Sequence, residues 1–416
     1  MNETIVGQEK PALLLLVHRI PFPPNKGDKI RSFHLLQHLS KHYRVFLGAF
    51  IDDVNDETYR SDVLSLCNEA FFVKLTPHWR KIISLRGFIT GQALTLPYYA
   101  SSALQGWVDE VIAEQKIDRT IAFSSAMAQF LMHKRFDNKR RIMDFIDIDS
   151  DKWAQYSRHK KWPMNWVYQR EAKCLLAFEK NVAERFDAST FVSDHEAEMF
   201  QSLAPESAEK ISAIYNGVDI ERFSPGHDLK NPFRALSDTT AYIVFVGAMD
   251  YWPNIDAVVW FSNEVMPLLQ DRKIHFYIVG SNPGKQVKDL ARLENISVTG
   301  KVDDVRNYIA HADVCIAPLR IARGIQNKVL ESLAMGKATI VTTPALEGIP
   351  ADNNKHLLVA DNAGSFSRAI SLILEDDDLR HSLASAGRDL MEKTFVWDKC
   401  LDGFNHLLET RVKKTH

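Results

Sequence analysis

The sequence predicts an α/β protein with two Rossmann-like, parallel-sheet domains that face a central cleft. Short apolar runs alternate with helical patterns along almost the whole chain, which is typical of parallel strands joined by crossover helices. A polar stretch with two prolines and one glycine, residues 224–240, interrupts this alternation before it begins again. Two strands of the second half end directly in glycine, as strands often do where a doubly wound sheet binds its ligand.

The first domain is predicted over residues 1–225. Its strands are expected at short apolar runs, because a strand covered by helices on both faces is apolar on both. These runs are Ala12–His18, Arg44–Phe50, Ala70–Leu75, Arg119–Ser124, Arg141–Ile146, Ser189–Ser193 and Ile211–Asn216.

The second domain is predicted over residues 238–394, followed by a helix over 395–416 that we expect to pack back on the first domain. Its strands are expected at Tyr242–Gly247, His275–Gly280, Asn295–Gly300, Asp313–Pro318, Ala338–Thr343 and His356–Ala360. The glycines at Gly247 and Gly280 indicate that the ligand crevice borders these two strand ends.

Length, charge and cysteine usage exclude several classes of protein. The 416 residues allow two or three domains, and a net charge of −2 argues against a nucleic-acid-binding protein. The four cysteines show neither metal-binding nor disulfide-framework spacing, which fits a reducing cytoplasm. No apolar run approaches the roughly 18 residues that span a bilayer. We therefore expect a cytoplasmic protein that contacts a membrane without crossing it.

The loop after the first strand, residues 21–36, is a candidate anion contact. Gly27 permits close approach of the backbone, and the helix that follows offers N–H donors beside Lys26, Lys29 and Arg31. The loop has no GxGxxG fingerprint, so it does not indicate a dinucleotide site. An ordinary helix entry is the alternative.

A basic and aromatic segment follows in the first domain. No acidic residue lies between Glu69 and Asp109, while HWRKIISLRGFI mixes cations with bulky apolar residues. A helix with this composition is typical of a bilayer interface, and RHKKWPMNW, residues 158–166, repeats it. The segment predicts acceptor or membrane contact; the alternative is a pair of amphipathic core helices. The contact residues are predicted to be Trp79, Arg80, Lys81 and Arg86.

Asp147 and Asp149 form a DxD string at the end of a predicted strand of the first domain. Such a pair holds a divalent ion in metal-dependent sugar transferases, but the string is short and arises often by chance. The carboxylates could instead line the cleft, where Asp149 is preferred for contact with acceptor or sugar, or could cap the next helix.

The stretch from Pro318 to Thr343 predicts a strand end, a glycine-containing loop, a helix ending at Gly336 and an apolar strand. A helix that opens from such a loop favours an anion, above all phosphate, through its N–H groups and dipole. Lys328 and Glu331 lie one turn apart on this helix, as a cation for phosphate and a carboxylate for sugar hydroxyls. A surface ion pair is the alternative.

Four stretches together resemble the retaining GT-B glycosyltransferases of family 4, which have two Rossmann-like domains. They are IYNGVDIERFSP (214–225), FVGAMDYWPNIDAV (245–258), the run from FYIVGSNP to Leu319, and the loop and helix after Pro318. The likeness extends over almost the full chain. KGDKIRS, DIDSDKW, GAMDYWPN and RGIQNKVLE further resemble bacterial sugar transferases of exopolysaccharide and exosortase systems.

The resemblance implies roles for individual residues. Glu331 matches the second glutamate of the family's Glu-x7-Glu pattern, which contacts the ribose of a nucleotide sugar, but Arg323 replaces the first. The family's Arg and Lys in the second-domain opening loop are absent as well. We therefore expect Arg323 and Lys328 to stabilise the leaving diphosphate. The remaining residues implied to contact the donor are Gly324, Ile325, Gln326, Asn327, Gly247, Gly280, Ser281, Val302 and, from the first domain, Gly27.

The expected function is a retaining, hexosyl-type glycosyltransferase that uses a nucleoside diphosphate sugar without metal or other cofactor. The acceptor is expected to be lipid-linked or polysaccharide, in exopolysaccharide or cell-surface glycan synthesis at the inner face of the cytoplasmic membrane. Two alternatives stay open: a sugar-nucleotide 2-epimerase of the same fold, and a non-catalytic sugar-nucleotide-binding scaffold. The catalytic residues are predicted to be Arg323, Lys328 and Asp149.

Overall fold

The computed structural model describes residues 10–24, 26–158, 160–233, 240–322 and 324–410. The chain divides into two compact units. Unit 1 takes in the described residues up to Tyr215 and those from Leu401 onward, and unit 2 comprises Asn216–Cys400.

Unit 1 contains a seven-stranded, fully parallel sheet with the strand order β3-β2-β1-β4-β5-β6-β7. Each residue of the central strand β1, ALLLLV, is buried, because both faces of the sheet are covered. The strands are β1 Ala12–Val17, β2 Arg44–Ile51, β3 Glu69–Lys74, β4 Arg119–Phe123, β5 Arg140–Ile146, β6 Ala188–Phe191 and β7 Ile211–Ala213.

Helices connect and cover the strands of unit 1. The α-helices are α1 Gly27–His42, α2 Arg60–Leu64, α3 Pro77–Ser84, α4 Arg86–Thr90, α5 Thr95–Tyr99, α6 Ser102–Glu114, α7 Asp149–Arg158, α8 Met164–Arg185 and α9 Asp194–Leu203. Short 3-10 helices lie at Val54–Tyr59, Ser125–Leu131, Lys134–Phe136 and Pro205–Lys210.

Unit 2 repeats this plan with a six-stranded parallel sheet in the order β10-β9-β8-β11-β12-β13. Its strands are β8 Ala241–Val246, β9 Ile274–Val279, β10 Ile296–Gly300, β11 Val314–Ala317, β12 Thr339–Val341 and β13 Leu358–Val359. Its helices are α10 Trp252–Trp260, α11 Lys285–Leu290, α12 Arg306–His311, α13 Asn327–Ala334, α14 Thr343–Leu346, α15 Ala363–Glu375 and α16 Asp377–Thr394, with a π-helix at Phe261–Val265 and a 3-10 helix at Met266–Leu269. The two parallel-sheet domains confirm the predicted α/β class.

The two unit boundaries differ from the predicted ones in their positions. Residues from Asn216 onward lie with unit 2 because Phe223 is buried in its core and Arg388 Nη1 donates to the carbonyls of Ile220 and Phe223, at 3.1 and 2.7 Å. The last helix, α17 Trp397–Glu409, counts with unit 1 from Leu401. Its end is held there by Glu409, which accepts a hydrogen bond of 3.0 Å from Tyr43.

The strand order reverses once in each sheet, between β1 and β4 in unit 1 and between β8 and β11 in unit 2. The two loops that leave such a pair of strands run to opposite faces of the sheet and open a crevice at its carboxyl edge. Each unit therefore has one switch point, and the polar residues collected there are the candidates for function.

Candidate functional site

Two glycines, Gly247 and Gly280, follow β8 and β9 beside the switch point of unit 2. Gly280, which follows β9, has a φ of +157°, and a Cβ at this position would lie 1.7 Å from the carbonyl oxygen of Gly247. A Cβ on Gly247 would in turn lie 2.7 Å from Asn254 Nδ2. The backbones that follow β8 and β9 can therefore approach each other only because Gly280 has no Cβ, while Gly247 leaves room for the buried Asn254 side chain.

Helix α13 begins at the same switch point, after the loop that follows β11. Gln326 is its N-cap, but no side chain of the described residues caps the helix. The Gln326 amide donates instead to the carbonyl of Gly324, a residue with a φ of +61°. An uncapped helix start leaves N–H donors and the positive end of the dipole for an anion.

Lys328 is aimed across the crevice at the loop that follows β8. Its Nζ donates to Asn254 Oδ1 at 3.1 Å and to Gln326 Oε1 at 3.3 Å, and it lies 5.4 Å from the centre of the Phe245 ring. Burial lowers the pKa of Lys328 to about 8, although the Glu331 carboxylate opposes this. An anion placed beside this ammonium would raise its pKa again.

Glu331 is half-buried on the same helix, and no described residue donates a hydrogen bond to its carboxylate. Burial raises the pKa of Glu331 to about 7, against the charges of Lys328 and Arg222. Lys328 donates to two amide oxygens and makes no ion pair with Glu331 within the described structure. The alternative of a surface ion pair is therefore wrong, and the carboxylate can accept two hydroxyl groups from a ligand.

The other residues predicted to contact the donor surround this core of the site. The Asn327 side-chain oxygen is buried and has no hydrogen-bond partner among the described residues, so it too can accept from a ligand. Ser281 accepts a backbone hydrogen bond of 2.8 Å from Met249, which ties the two glycine loops together. Val302 is half-buried in the loop after β10. Ile325 packs beside Gly348, and Arg323 lies outside the described residues.

Asn254 is the residue at this site that sequence reasoning missed. It is 4% exposed, donates to the carbonyl of Ala248 at 2.9 Å, and accepts from Lys328. It therefore fixes both the loop after β8 and the ammonium of α13. The local signal was a polar residue in the first turn of α10, directly after Pro253, the second residue of the helix.

A pocket of about 520 Å³ lies at the switch point of unit 1. Its walls are mainly apolar and aromatic. The polar residues His18, Ser124 and Asp149 lie just after the ends of β1, β4 and β5, and further polar groups come from helices, among them Glu171 of α8. Ser124 and Ile146, which follow or end β4 and β5, both have a φ of +74°, a strained conformation for residues other than glycine. Six of the lining residues are His18, Ser124, Asp149, Trp153, Tyr168 and Glu171.

Asp149 reaches this pocket, and both carboxylates of the DxD string pair with a lysine. Lys152 Nζ lies 2.8 Å from Asp147 Oδ2 and 3.4 Å from Asp149 Oδ1, so an ammonium occupies the position of a bridging cation. The other oxygen of Asp149 accepts from Ser125 Oγ at 2.9 Å. No group of three or more ligating side chains able to hold a metal occurs in the described part of the chain.

His18 is a second pocket residue that the sequence did not single out. Its Nε2 lies 3.1 Å from Asp28 Oδ2, and its ring stacks on Phe123 with the centroids 5.9 Å apart. Burial would raise the pKa of Asp28, but the hydrogen bond with His18 and the charge of Arg19 hold it well below its usual range. Asp28 is therefore ionised and fixes the orientation of the imidazole.

Two of the three cations in the predicted anion contact of the first loop pair with buried carboxylates, and the third, Lys26, is exposed. Lys29 Nζ is buried 2.6 Å from Asp56, and Arg31 makes a buried two-point contact with Asp144 at 2.8 and 3.1 Å. These cations neutralise carboxylates of the unit 1 interior. Gly27 is exposed at the start of α1, and a Cβ there would meet nothing within 4 Å, so local packing does not require the glycine.

The basic and aromatic segment forms α3 and α4, and no residue of α3 is buried. The alternative of an amphipathic core helix is therefore wrong for α3. Trp79 is 66% exposed and Ile89 88% exposed, which is unusual for large apolar side chains. We define the basic-aromatic patch as the exposed or half-buried side chains of Trp79, Arg80, Lys81, Ile82, Leu85, Arg86 and Ile89. Lys81 also lines the unit 1 pocket.

Comparison with known proteins agrees with this arrangement. Residues 240–376, which include every unit 2 site residue above, match the family model "Glycosyl transferases group 1". An uncharacterized glycosyltransferase of Methanocaldococcus jannaschii is 23% identical over 312 residues, covering 71% of this chain and 74% of the relative.

Solved structures match the whole fold. A glycosyltransferase from Rickettsia africae is similar with a TM-score of 0.65 and 14% identity, over 97% of this chain and all of that chain. HepE of Anabaena, solved with UDP and glucose, is similar with a TM-score of 0.63 and 14% identity, over 96% of this chain and 99% of that chain. These likenesses support the GT-B fold. In the part of the chain that the structure describes, no helix is long and apolar enough to cross a membrane.

Proposed function

We propose that this chain is a glycosyltransferase whose second unit is a domain of the group 1 type. It transfers a hexosyl-type sugar from a nucleoside diphosphate sugar to a lipid-linked or polysaccharide acceptor, with retention of configuration. The carrying observation is the unit 2 switch point, where a half-buried carboxylate and an ammonium lie one turn apart at a helix start, and where no described residue pairs with the carboxylate or caps the helix. This combination suits a ligand with both hydroxyl groups and phosphates.

In the proposed complex, Glu331 accepts hydrogen bonds from the ribose hydroxyls. The diphosphate lies beside Lys328 and the start of α13, bordered by Gly247, Gly280 and Ser281, and the base meets the backbone near Val302. Arg323 is assigned to the diphosphate from the sequence alone. The UDP bound to HepE makes uridine donors the first candidates for this chain.

The chemistry would be front-side displacement, in which the acceptor oxygen attacks the same face of the sugar that the diphosphate leaves. Negative charge grows on the departing diphosphate, and Lys328 with the α13 N–H groups stabilises it most in the transition state. No metal is assigned a role, because the ammonium and the helix start supply positive charge at the place where it is needed.

The acceptor is assigned to the unit 1 pocket. Aromatic side chains such as Trp153 and Tyr168 offer flat apolar faces, while Asp149 offers a carboxylate for a hydroxyl group. The basic-aromatic patch adjoins this pocket through Lys81. A glycolipid could therefore keep its apolar part near the patch and place its sugar against Asp149.

We also propose that the patch holds the protein at the inner face of the cytoplasmic membrane, during exopolysaccharide or cell-surface glycan synthesis. Exposed Trp79 and Ile89 can enter the interface while the patch cations meet anionic headgroups. Changing Arg80, Lys81 and Arg86 to Glu should abolish sedimentation with anionic vesicles. Sedimentation equal to that of wild type would refute membrane contact.

A donor screen tests the main proposal. Thermal shifts with uridine, guanosine and adenosine diphosphate sugars should identify one base, and Lys328→Ala and Glu331→Ala should each remove the shift. Lys393→Ala and Glu294→Ala are matched controls, since both side chains are exposed. If both site variants bind the donor like wild type, the assigned pocket is wrong. Incubation with the donor alone tests the 2-epimerase alternative, because an epimerase would convert it without acceptor.

A further inference from the structure

A fully buried carboxyl group lies behind the unit 1 pocket. Glu179 on α8 is 0% exposed. Its Oε2 accepts from Ser150 Oγ at 2.5 Å, and its Oε1 lies 3.3 Å from the Ser150 backbone nitrogen and 3.1 Å from Ser125 Oγ. No substrate could reach this group directly, because it lies behind the residues that line the pocket.

Ser125 joins this buried carboxyl to the pocket. Its Oγ lies 2.9 Å from Asp149 Oδ2 as well as 3.1 Å from Glu179 Oε1. A serine hydroxyl carries a single proton, so it can donate to only one of the two carboxyl groups. Both contacts are hydrogen bonds only if one carboxyl group is protonated and donates to Ser125 while Ser125 donates to the other.

Burial decides which group carries this proton. The Asp149 side chain is 29% exposed in the pocket and faces Lys152, which also pairs with Asp147. Glu179 is fully buried, and Asp149 is the charged neighbour acting on it, while Ser125 and Ser150 are its polar partners. Burial, followed by the charge of Asp149, raises the pKa of Glu179 to about 8. Neutral Glu179 and ionised Asp149 are therefore the favoured pair.

Lys152 does not change which of the two carboxyl groups is neutral. Burial alone would lower its pKa, but Asp149 and Asp147 raise it well above its usual range, so the ammonium stays charged. The other titratable side chains that line the pocket are His18, Lys81, Tyr98, Tyr99, Tyr168 and Glu171, of which Tyr99 interacts electrostatically with Asp149. Asp28 already engages His18.

We propose that Glu179 is a positioning residue: as a neutral carboxyl it donates to Ser125, which fixes ionised Asp149 to accept a hydrogen bond from an acceptor hydroxyl in the unit 1 pocket. This inference rests on the proposed function, because it assigns the acceptor to that pocket. When Glu179 ionises, two carboxylates compete for one serine proton and repel each other. Asp149 then loses its fixed orientation, and acceptor binding weakens.

The experiment measures binding of octyl glucoside by calorimetry, below its micelle-forming concentration, as a probe with a sugar and an apolar tail. Wild-type affinity should fall about tenfold between pH 7 and pH 9, as expected when a group with a pKa of about 8 must stay protonated. Glu179→Gln, which stays neutral, should bind at pH 7 within about threefold of wild type and change little up to pH 9. Ser125→Ala should bind weakly at both pH values.

Glu184→Gln is the control, since this exposed carboxylate lies on the same helix. It should follow the wild-type pH profile, and melting temperatures at pH 7 establish that each variant is folded. If Glu179→Gln and wild type show the same pH profile, the positioning role is wrong. If wild type fails to bind the probe at pH 7, the acceptor pocket itself is wrong. Nucleotide-sugar binding, measured on the same samples, tests the donor assignment separately.

Discussion

Replacing Glu179 with glutamine should change how the stability of unit 1 depends on pH. The carboxyl has a pKa of about 8 in the folded chain, against an ordinary value of 4.5. Between these values the folded state binds a proton that the unfolded state does not, so wild-type stability falls as pH rises. The slope approaches about 1.4 kcal/mol per pH unit. Below pH 4.5 this contribution to stability is fully present, and above pH 8 it is lost.

Glu179→Gln removes the titrating group and therefore this slope. The amide keeps the volume of the carboxyl and can donate to Ser125, but its NH₂ group would face the Ser150 backbone N–H, 3.3 Å away. This contact between two donors lowers the stability of the variant by an amount that does not depend on pH. The free energy of unfolding of the variant, relative to that of wild type, should therefore rise by several kcal/mol between pH 5 and pH 8. This change is expected whichever protein is more stable at pH 5.

Hydrogen exchange of α8 amides, read by mass spectrometry from pH 5 to pH 9, measures local stability without assuming that both units unfold together. Rates must first be corrected for the intrinsic pH dependence of exchange. Glu184→Gln should keep the wild-type slope. Parallel stability curves for wild type and Glu179→Gln would refute the claim that Glu179 is protonated at neutral pH.

Three further predictions follow from buried contacts. Asn254→Ala removes a hydrogen-bond partner of Lys328, so donor affinity should fall by about tenfold in titrations with the nucleotide sugar; an unchanged affinity would show that Lys328 needs no such support. Asp144→Ala takes the carboxylate from buried Arg31 and should lower the free energy of unfolding of unit 1 by about 3–5 kcal/mol in urea titrations; a loss under 1 kcal/mol would contradict this. Gly280→Ala places a Cβ 1.7 Å from the backbone carbonyl that follows β8, so the melting temperature of unit 2 should fall sharply, and wild-type melting would refute the packing argument.

Most of the fold could be predicted from local patterns. Apolar runs such as Ala12–Val17 can be satisfied only between two layers of helices, and their alternation with helical segments implies parallel strands. The helix predicted around Glu331 appears as α13, which ends at Ala334. Gly336 follows its C-cap with a φ of +61°, the left-handed conformation expected of a glycine that terminates a helix.

The candidate site was predictable only in part, because its contacts join residues far apart in sequence. Lys328 and Glu331 are visible as neighbours on one helix, but the shorter hydrogen bond of Lys328 is made to Asn254, 74 residues away. Likewise, the sequence indicates Lys29 and Arg31 as cations of an anion-binding loop, because it does not show that both pair with buried carboxylates.

The sequence by itself determined the α/β class, the two parallel sheets and the chemical character of the loops, because hydrophobic periodicity and glycine placement are local properties. Tertiary structure decided which loops meet. The reversal of strand order brings the ends of β1 and β4 together in one unit and of β8 and β11 in the other. Burial then decided which charges are structural. Arg31 pairs with Asp144 in the interior, whereas no described residue donates to the half-buried Glu331 carboxylate, which can therefore accept from a ligand.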